Sequence, residues 1–368
     1  MGELTMERCT NCILPANYPG IKFDDKGVCQ YCNEHKETEY IGLEALVADI
    51  EAFNRGKKDR NKEYDCLLGF SGGRDSTYML YILSKKLGLN VLVYSVDNGY
   101  VTESAYRNID NAVKNANATL VLEEIPVKKS LKHILNSWMH RPVITMVETF
   151  CTGCRQGYNM VINYAIKHKI PVVVWGSTTF EHPDFKYRLM GGKSDGGWYS
   201  MALGYFACVA RNPRWFTNLN YVNVQIRDFL SFGNFRTHFR NQGLLFLEPF
   251  KKNIRWEEKT VETTIKNEMG WSKDDRSASS WRGDCDVAIL KLYVYYEIFG
   301  WNDKVFNLSN LLRDHQISRE EALERLHKDE QISDDIVKKF LDEIGVSFSD
   351  FKNAVSKAKE LYTKGITR

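Results

Sequence analysis

The sequence predicts an α/β protein: a doubly wound parallel sheet, preceded by a small cysteine-rich knuckle and followed by a helical C-terminal region. Three observations predict it. Aliphatic runs at Tyr64 to Phe70, Val91 to Val96, Thr119 to Ile125 and Val172 to Gly176 read as buried strands. Between them, Thr77 to Leu87 and Val101 to Asn115 carry helical spacing. Strand and helix in alternation imply right-handed crossovers and a sheet covered on both faces. From about residue 285 the chain turns helical, with a helix expected over Val287 to Tyr296 and further starts at the capping box Ser318-Arg319-Glu320-Glu321 and at Ser333.

These elements divide the chain into four regions. Residues 1–40 are rich in Cys, Asn and turn formers and too few to bury a core unaided. Residues 60–180 hold the α/β pattern, and 181–300 read as a substrate-binding region with the remainder of the catalytic domain. Residues 301–368 form the C-terminal helical region, whose narrow apolar stripes suit packing. Within 181–300 the pattern is irregular, so its elements are not assigned from sequence.

Composition narrows the function classes. The 368 residues are 43% hydrophobic and 26% charged, with a formal net charge of +3. No global field recruits nucleic acid or a membrane surface. No apolar run approaches a membrane span, and the first ten residues lack the apolar centre of a secretory signal. A cytoplasmic globular protein is expected.

Six of the nine cysteines fall in three C-x-x-C pairs. A chain of this length does not need disulfide staples, so the pairs point to metal or redox chemistry. Cys9-x2-Cys12 is followed after sixteen residues by Cys29-x2-Cys32. Two such knuckles match tetrahedral Zn2+, and a structural staple is the expected role. The third pair, Cys151-Thr152-Gly153-Cys154, together with Cys285, could hold an Fe–S cluster, hold a second Zn2+ or act as a thiol pair.

The segment Ser71-Gly72-Gly73-Arg74-Asp75-Ser76 lies between the strand ending at Phe70 and the helix from Thr77. Glycines there let the backbone turn and expose N–H groups, and a helix N-terminus adds partial positive charge. Such a nest holds phosphates. Ser71, Gly72, Gly73 and Ser76 are the expected phosphate contacts, and Asp75 is placed to orient Mg2+ or the nucleotide. Arg74 either stabilises charge at phosphorus or faces solvent. Later, Val209 to Gln242 interleaves Arg211, Arg214, Arg227, Arg236 and Arg240 with seven aromatics and one acid, Asp228. This composition suits a nucleotide-sugar diphosphate, single-stranded RNA, or an aromatic core with solvated arginines.

The motif S-G-G-x-D-S after the first strand resembles the signature of the PP-loop (ATP pyrophosphatase) enzymes, which include asparagine and GMP synthetases and tRNA thiolases. The resemblance implies that a substrate carbonyl oxygen attacks the α-phosphorus of ATP and that AMP then leaves to a nitrogen or sulfur nucleophile. It also implies nucleotide contacts near Asp97, in Ser-Val-Asp-Asn-Gly at 95 to 99, and Gly176, in Val-Trp-Gly-Ser-Thr at 174 to 178. The thiolases of that superfamily use a cysteine trio like Cys151, Cys154 and Cys285.

Over nearly its whole length the chain is similar to the N-acetyl sugar amidotransferases of bacterial surface-polysaccharide pathways. The likeness rests on the four-Cys knuckle, S-G-G-R-D-S, E-T-F-C-T-G-C at 148 to 154, W-R-G-D-C-D-V-A-I-L-K-L-Y at 281 to 293 and I-S-R-E-E-A-L at 317 to 323. It implies conversion of an acetamido group on an N-acetylated, nucleotide-linked sugar to an acetamidino group, with ATP, Mg2+ and Zn2+, and ammonia from a separate glutaminase subunit. A tRNA 2-thiolase with an Fe–S cluster is the rival. Nucleic acid is not an expected partner, because basic excess is confined to one short segment.

Overall fold

The computed structural model describes residues 7–181, 185–189, 198–219, 222, 243–276, 280–281 and 283–367. Most of the arginine- and aromatic-rich stretch beyond residue 222, with His182 and His238, lies outside them. Among the described residues, five strands form one parallel sheet in the order β3-β2-β1-β4-β5. They are β1 Cys66–Phe70, β2 Val91–Asp97, β3 Thr119–Glu124, β4 Val172–Trp175 and β5 Leu245–Leu247. The order reverses between β1 and β4, and open parallel sheets place ligands in the crevice at such a switch point, beyond the carboxyl ends of the strands.

Alternate residues of the strands serve two cores. Leu67, Leu92, Tyr94 and Val173 pack with Val161 and Ala165 of the helix Thr152–Lys167. Cys66, Leu68, Phe70, Val93 and Val174 face the larger core, where Met79 and Leu83 follow the phosphate loop. Gly69 in β1 is required by its neighbour, because a Cβ there would lie 2.1 Å from the Trp175 ring.

Three expectations change. Thr119–Glu124 is not a buried strand but the half-exposed edge of the sheet, paired with β2 alone. The helix expected from Thr77 starts at Arg74, so Arg74, Asp75 and Ser76 form its first turn, and it ends in a π-turn over Ile82–Lys86. The strand β5, which the sequence pattern did not separate from its irregular surroundings, adds to β4. Ser318 and Ser333 cap their helices as expected, accepting from the backbone N–H of Glu321 and Ile336. No helix among the described residues is long and apolar enough to cross a membrane.

The N-terminal knuckle docks on the C-terminal helices. Arg319 donates to the carbonyls of Cys9 and Cys12. Trp301 Nε1 donates to Asn17 at 2.7 Å, and Tyr18 stacks on the Trp301 ring. A segment too small for its own core thereby borrows one.

Candidate active site

The phosphate loop sits at the carboxyl end of β1. Gly72 adopts φ +75°, and a Cβ there would stand 2.5 Å from the Ala105 carbonyl oxygen, so only glycine fits the turn. The Ser71 hydroxyl accepts from the Gly73 N–H at 3.2 Å, while the Ser76 hydroxyl donates to the Gly73 carbonyl at 3.1 Å. The loop opens into a cleft of about 550 Å³. A Cβ on Gly176, just past β4, would lie 2.9 Å from the Asp75 carbonyl oxygen, so the two strand ends close on each other at the switch point.

Arg74 is neither solvent-facing nor free to reach a phosphorus atom. It is 2% exposed and lies between the Trp256 and Trp281 rings, 4.4 and 4.6 Å from their centroids. Its guanidinium donates to Asp75 Oδ1 at 2.8 Å, Glu258 Oε1 at 3.0 Å and the Ser280 hydroxyl at 2.6 Å. Trp256 Nε1 donates to the same Asp75 oxygen at 3.0 Å. Arg74 therefore holds Asp75 in place. Trp256, Glu258 and Trp281 had no local signal in sequence, since their meeting with Arg74 spans more than 180 positions.

Cys151, Cys154 and Cys285 all line the cleft. Cys154 is exposed, and burial holds the Cys285 thiol well above its ordinary range, so it carries its proton at neutral pH. Asn98 Nδ2 approaches the Cys285 sulfur at 3.3 Å. Asn98, rather than its neighbour Asp97, lines the cleft, and Asp97 instead accepts from the Gly99 N–H at 2.7 Å.

The wall beside Cys151 is built on a buried ionic cluster. Glu148, on the 3-10 turn Ile144–Cys151, meets Lys186 at 3.1 Å and Lys291 at 3.5 Å, and accepts from the Tyr295 hydroxyl at 2.6 Å. Asp303 completes the cluster with Lys186 and Lys291, each at 3.2 Å. Burial pushes the Glu148 carboxyl up, but the two ammonium groups and the hydroxyl outweigh it and bring it down to about 2. Glu148 is thus a carboxylate at every physiological pH.

The knuckle forms a separate centre. The Sγ atoms of Cys9, Cys12, Cys29 and Cys32 all lie within 4.8 Å of one another, and they are the one such metal-competent group among the described residues. Sulfur–sulfur separations are 3.9 Å for Cys9–Cys32 and 3.7 Å for both Cys12–Cys29 and Cys29–Cys32. A tetrahedron with metal–sulfur bonds of about 2.3 Å has edges of about 3.8 Å, so the donor set fits a tetrathiolate site. The backbone N–H groups of Cys12 and Cys29 point at Cys9 Sγ, as donors to a thiolate do. None of the four cysteines lines the cleft.

Gly283, Asp284 and Cys285 line the cleft as well, with Asp284 beside Gly73 of the loop. Val101 pairs with Cys285 as an isolated antiparallel bridge, and the Thr102 hydroxyl donates to the Gly283 carbonyl at 2.8 Å. These residues lead into the helix Val287–Phe299. Residues 275–364 match the family model described as "LPS biosynthesis protein WbpG-like, C-terminal domain".

The uncharacterized protein MJ1599 of Methanocaldococcus jannaschii is 28% identical over 116 residues, which is 31% of this chain and 42% of that protein. The match therefore spans less than half of that relative. Among solved structures, the NMN synthetase of Francisella tularensis aligns with TM-score 0.36 and 13% identity, covering 78% of this chain and 92% of that one. The U34-tRNA thiolase NcsA of Methanococcus maripaludis, with its [4Fe-4S] cluster, aligns with TM-score 0.36 and 13% identity, covering 97% and 89%. The strand order and the loop at its switch point carry the fold assignment by themselves. The chain thus combines a parallel sheet, with a glycine-rich loop at its switch point, and a C-terminal segment similar to that family's domain.

Proposed function

We propose that the chain is an AMP-forming amidotransferase acting on the acetamido group of an N-acetylated, nucleotide-linked sugar. The observation that carries this reading is the shared cleft. The loop Ser71 to Ser76 and residues 283–285, which fall in the segment similar to a WbpG-like C-terminal domain, line one cavity. The two contributions bring adenylation chemistry and a polysaccharide-pathway domain to one cavity.

An amide carbonyl is a poor electrophile, and its oxygen must be made a leaving group before nitrogen can replace it. The acetamido oxygen attacks the α-phosphorus of ATP, the α–β bridge bond breaks, and pyrophosphate leaves. The resulting O-adenylated imidate takes ammonia at carbon. Loss of one proton and departure of AMP with the former amide oxygen leave the amidine. Ser71, Gly72, Gly73 and Ser76 would hold phosphate oxygens, and Arg74 and Trp256 would fix Asp75 toward Mg2+. A separate glutaminase subunit would supply ammonia in the cytoplasm, and Zn2+ in the four-thiol knuckle would serve stability rather than turnover.

The test is incubation of the purified chain with ATP, Mg2+, ammonium and a panel of nucleotide-linked N-acetyl sugars. Expected are AMP and pyrophosphate, formed only when sugar and ammonium are both present, and a product whose mass reflects replacement of oxygen by NH. Formation of ADP, or AMP release indifferent to the sugar, would sink the proposal.

One observation favours a second reading. Three cysteines line the same cleft, as sulfur transfer would require. Their sulfurs are not gathered as the knuckle's are. Iron and labile sulfide in anaerobically purified protein, lost in Cys151→Ala, together with a thiolated product, would favour thiolation over amidation.

A further inference from the structure

We propose that Asp284 is a divalent-cation ligand of the nucleotide site, so that the metal of a bound Mg–ATP joins the phosphate loop to the WbpG-like domain. This rests on the ATP-binding reading above.

The argument starts from charge. The loop is suited to an anion, with a helix N-terminus, glycine backbone and the Ser71 and Ser76 hydroxyls 3.5 Å apart. Asp284 Oδ2 stands 3.6 Å from the position a Cβ on Gly73 would take. The missing side chain of Gly73 therefore leaves open the space between the loop and a carboxylate. Asp284 is held there through its backbone, since its carbonyl accepts from the Thr102 N–H at 3.2 Å and the adjacent residues are bound to Tyr100, Val101 and Thr102.

A carboxylate aimed at a phosphate cradle repels the ligand unless a cation lies between them. The other acids of the cleft, Glu181 among them, have partners, and those of Asp75 are Arg74 and Trp256. Asp274 is held by Arg276 and Ser104, and Glu148 by Lys186, Lys291 and Tyr295. Among the described residues, no side-chain donor engages the Asp284 carboxylate. Mg2+ is commonly bound through one or two carboxylates plus the substrate's phosphates and waters. Asp284 supplies one such carboxylate beside the loop.

The test is calorimetric titration with α,β-methylene-ATP, which cannot be cleaved at the α–β bridge, in Mg2+ and in EDTA. Wild-type protein is expected to bind the Mg2+ form more tightly. Asp284→Asn should lose apparent Mg2+ affinity on the order of 10- to 100-fold, the range seen when groups supporting a metal site are removed. It should also bind the metal-free analogue more tightly than wild type, because the repulsion is gone. Asp284→Ala, which removes the carboxylate without an isostere, should show the same two changes. An Mg2+ enhancement in Asp284→Asn equal to that of wild type would overturn the proposal while leaving ATP binding intact. Absence of analogue binding by wild type in either buffer would overturn the ATP reading, and this inference with it.

Discussion

The two groups of cysteines in this chain share the same C-x-x-C spacing and have opposite environments. Cys9, Cys12, Cys29 and Cys32 are drawn together within 4.8 Å, and three of them are fully buried. Cys151, Cys154 and Cys285 line an open cleft, with one thiol exposed and another held protonated by burial. The first group has donors around it and no room for substrate. The second has room for substrate and is not gathered as a metal cage. Spacing alone does not separate a staple from a reactive site; the surroundings do.

The largest expected effect breaks the staple. If the knuckle holds a metal, Cys29→Ser should abolish its binding there and cost on the order of 5 kcal/mol or more, since structural metal binding is coupled to folding. Metal analysis with urea unfolding checks this. A variant with full metal content and an unchanged midpoint would remove the distinction between the two groups.

The cleft has its own fastening, and it is ionic. Arg74→Met would leave Asp75 and Glu258 without their shared partner, beside side chains no more than 11% exposed. The expected loss is about 3 to 5 kcal/mol, as for other broken buried pairs. Arg325 still reaches Glu258 and should keep the figure near the lower end. Nucleotide binding should weaken as well, because Asp75 loses its guide. Unfolding and binding measured on one sample would show whether the two move together.

The pH response sharpens the contrast further. Glu148 has its folded-state pKa depressed from 4.5 to about 2. Its contribution is therefore present above about pH 4.5 and is lost as pH falls through about 2. A shift of this size corresponds to about 3 kcal/mol. In Glu148→Gln the acid limb of the stability–pH curve should flatten between those values. An unchanged acid limb would show that the lysine cluster does not depend on this carboxylate.

The smallest effect belongs to the cleft thiols. Cys154→Ala should stay within about 0.5 kcal/mol of wild type and leave metal content intact, as expected for an exposed residue. If amidation is the reaction, AMP formation should survive this change. If sulfur transfer is the reaction, it should fail.

Much of this was legible along the chain because the physics is local. A strand, a glycine turn and a helix start are set by neighbours within a few residues, so the loop Ser71 to Ser76 could be placed between β1 and its helix. The knuckle spacing and the serine caps were legible for the same reason. The exposed character of β3 was not, because a strand's burial depends on which neighbours pair with it. Glu258, reaching Arg74 from 184 positions away, was also invisible, as was the placing of Asn98 rather than Asp97 in the cleft.

The sequence by itself determined the α/β alternation, the phosphate-binding turn, the metal-competent cysteine spacing and the resemblance that names a chemistry. Only the tertiary structure decided what each acid and thiol faces. It turned Arg74 inward between two indoles and set Asp284 beside the loop. It also kept the knuckle away from the cleft that the other three cysteines line. The division has one physical cause. Backbone geometry follows from short-range sterics and hydrogen bonding, whereas the charge and burial of a side chain are set by residues that folding brings to it from anywhere in the chain.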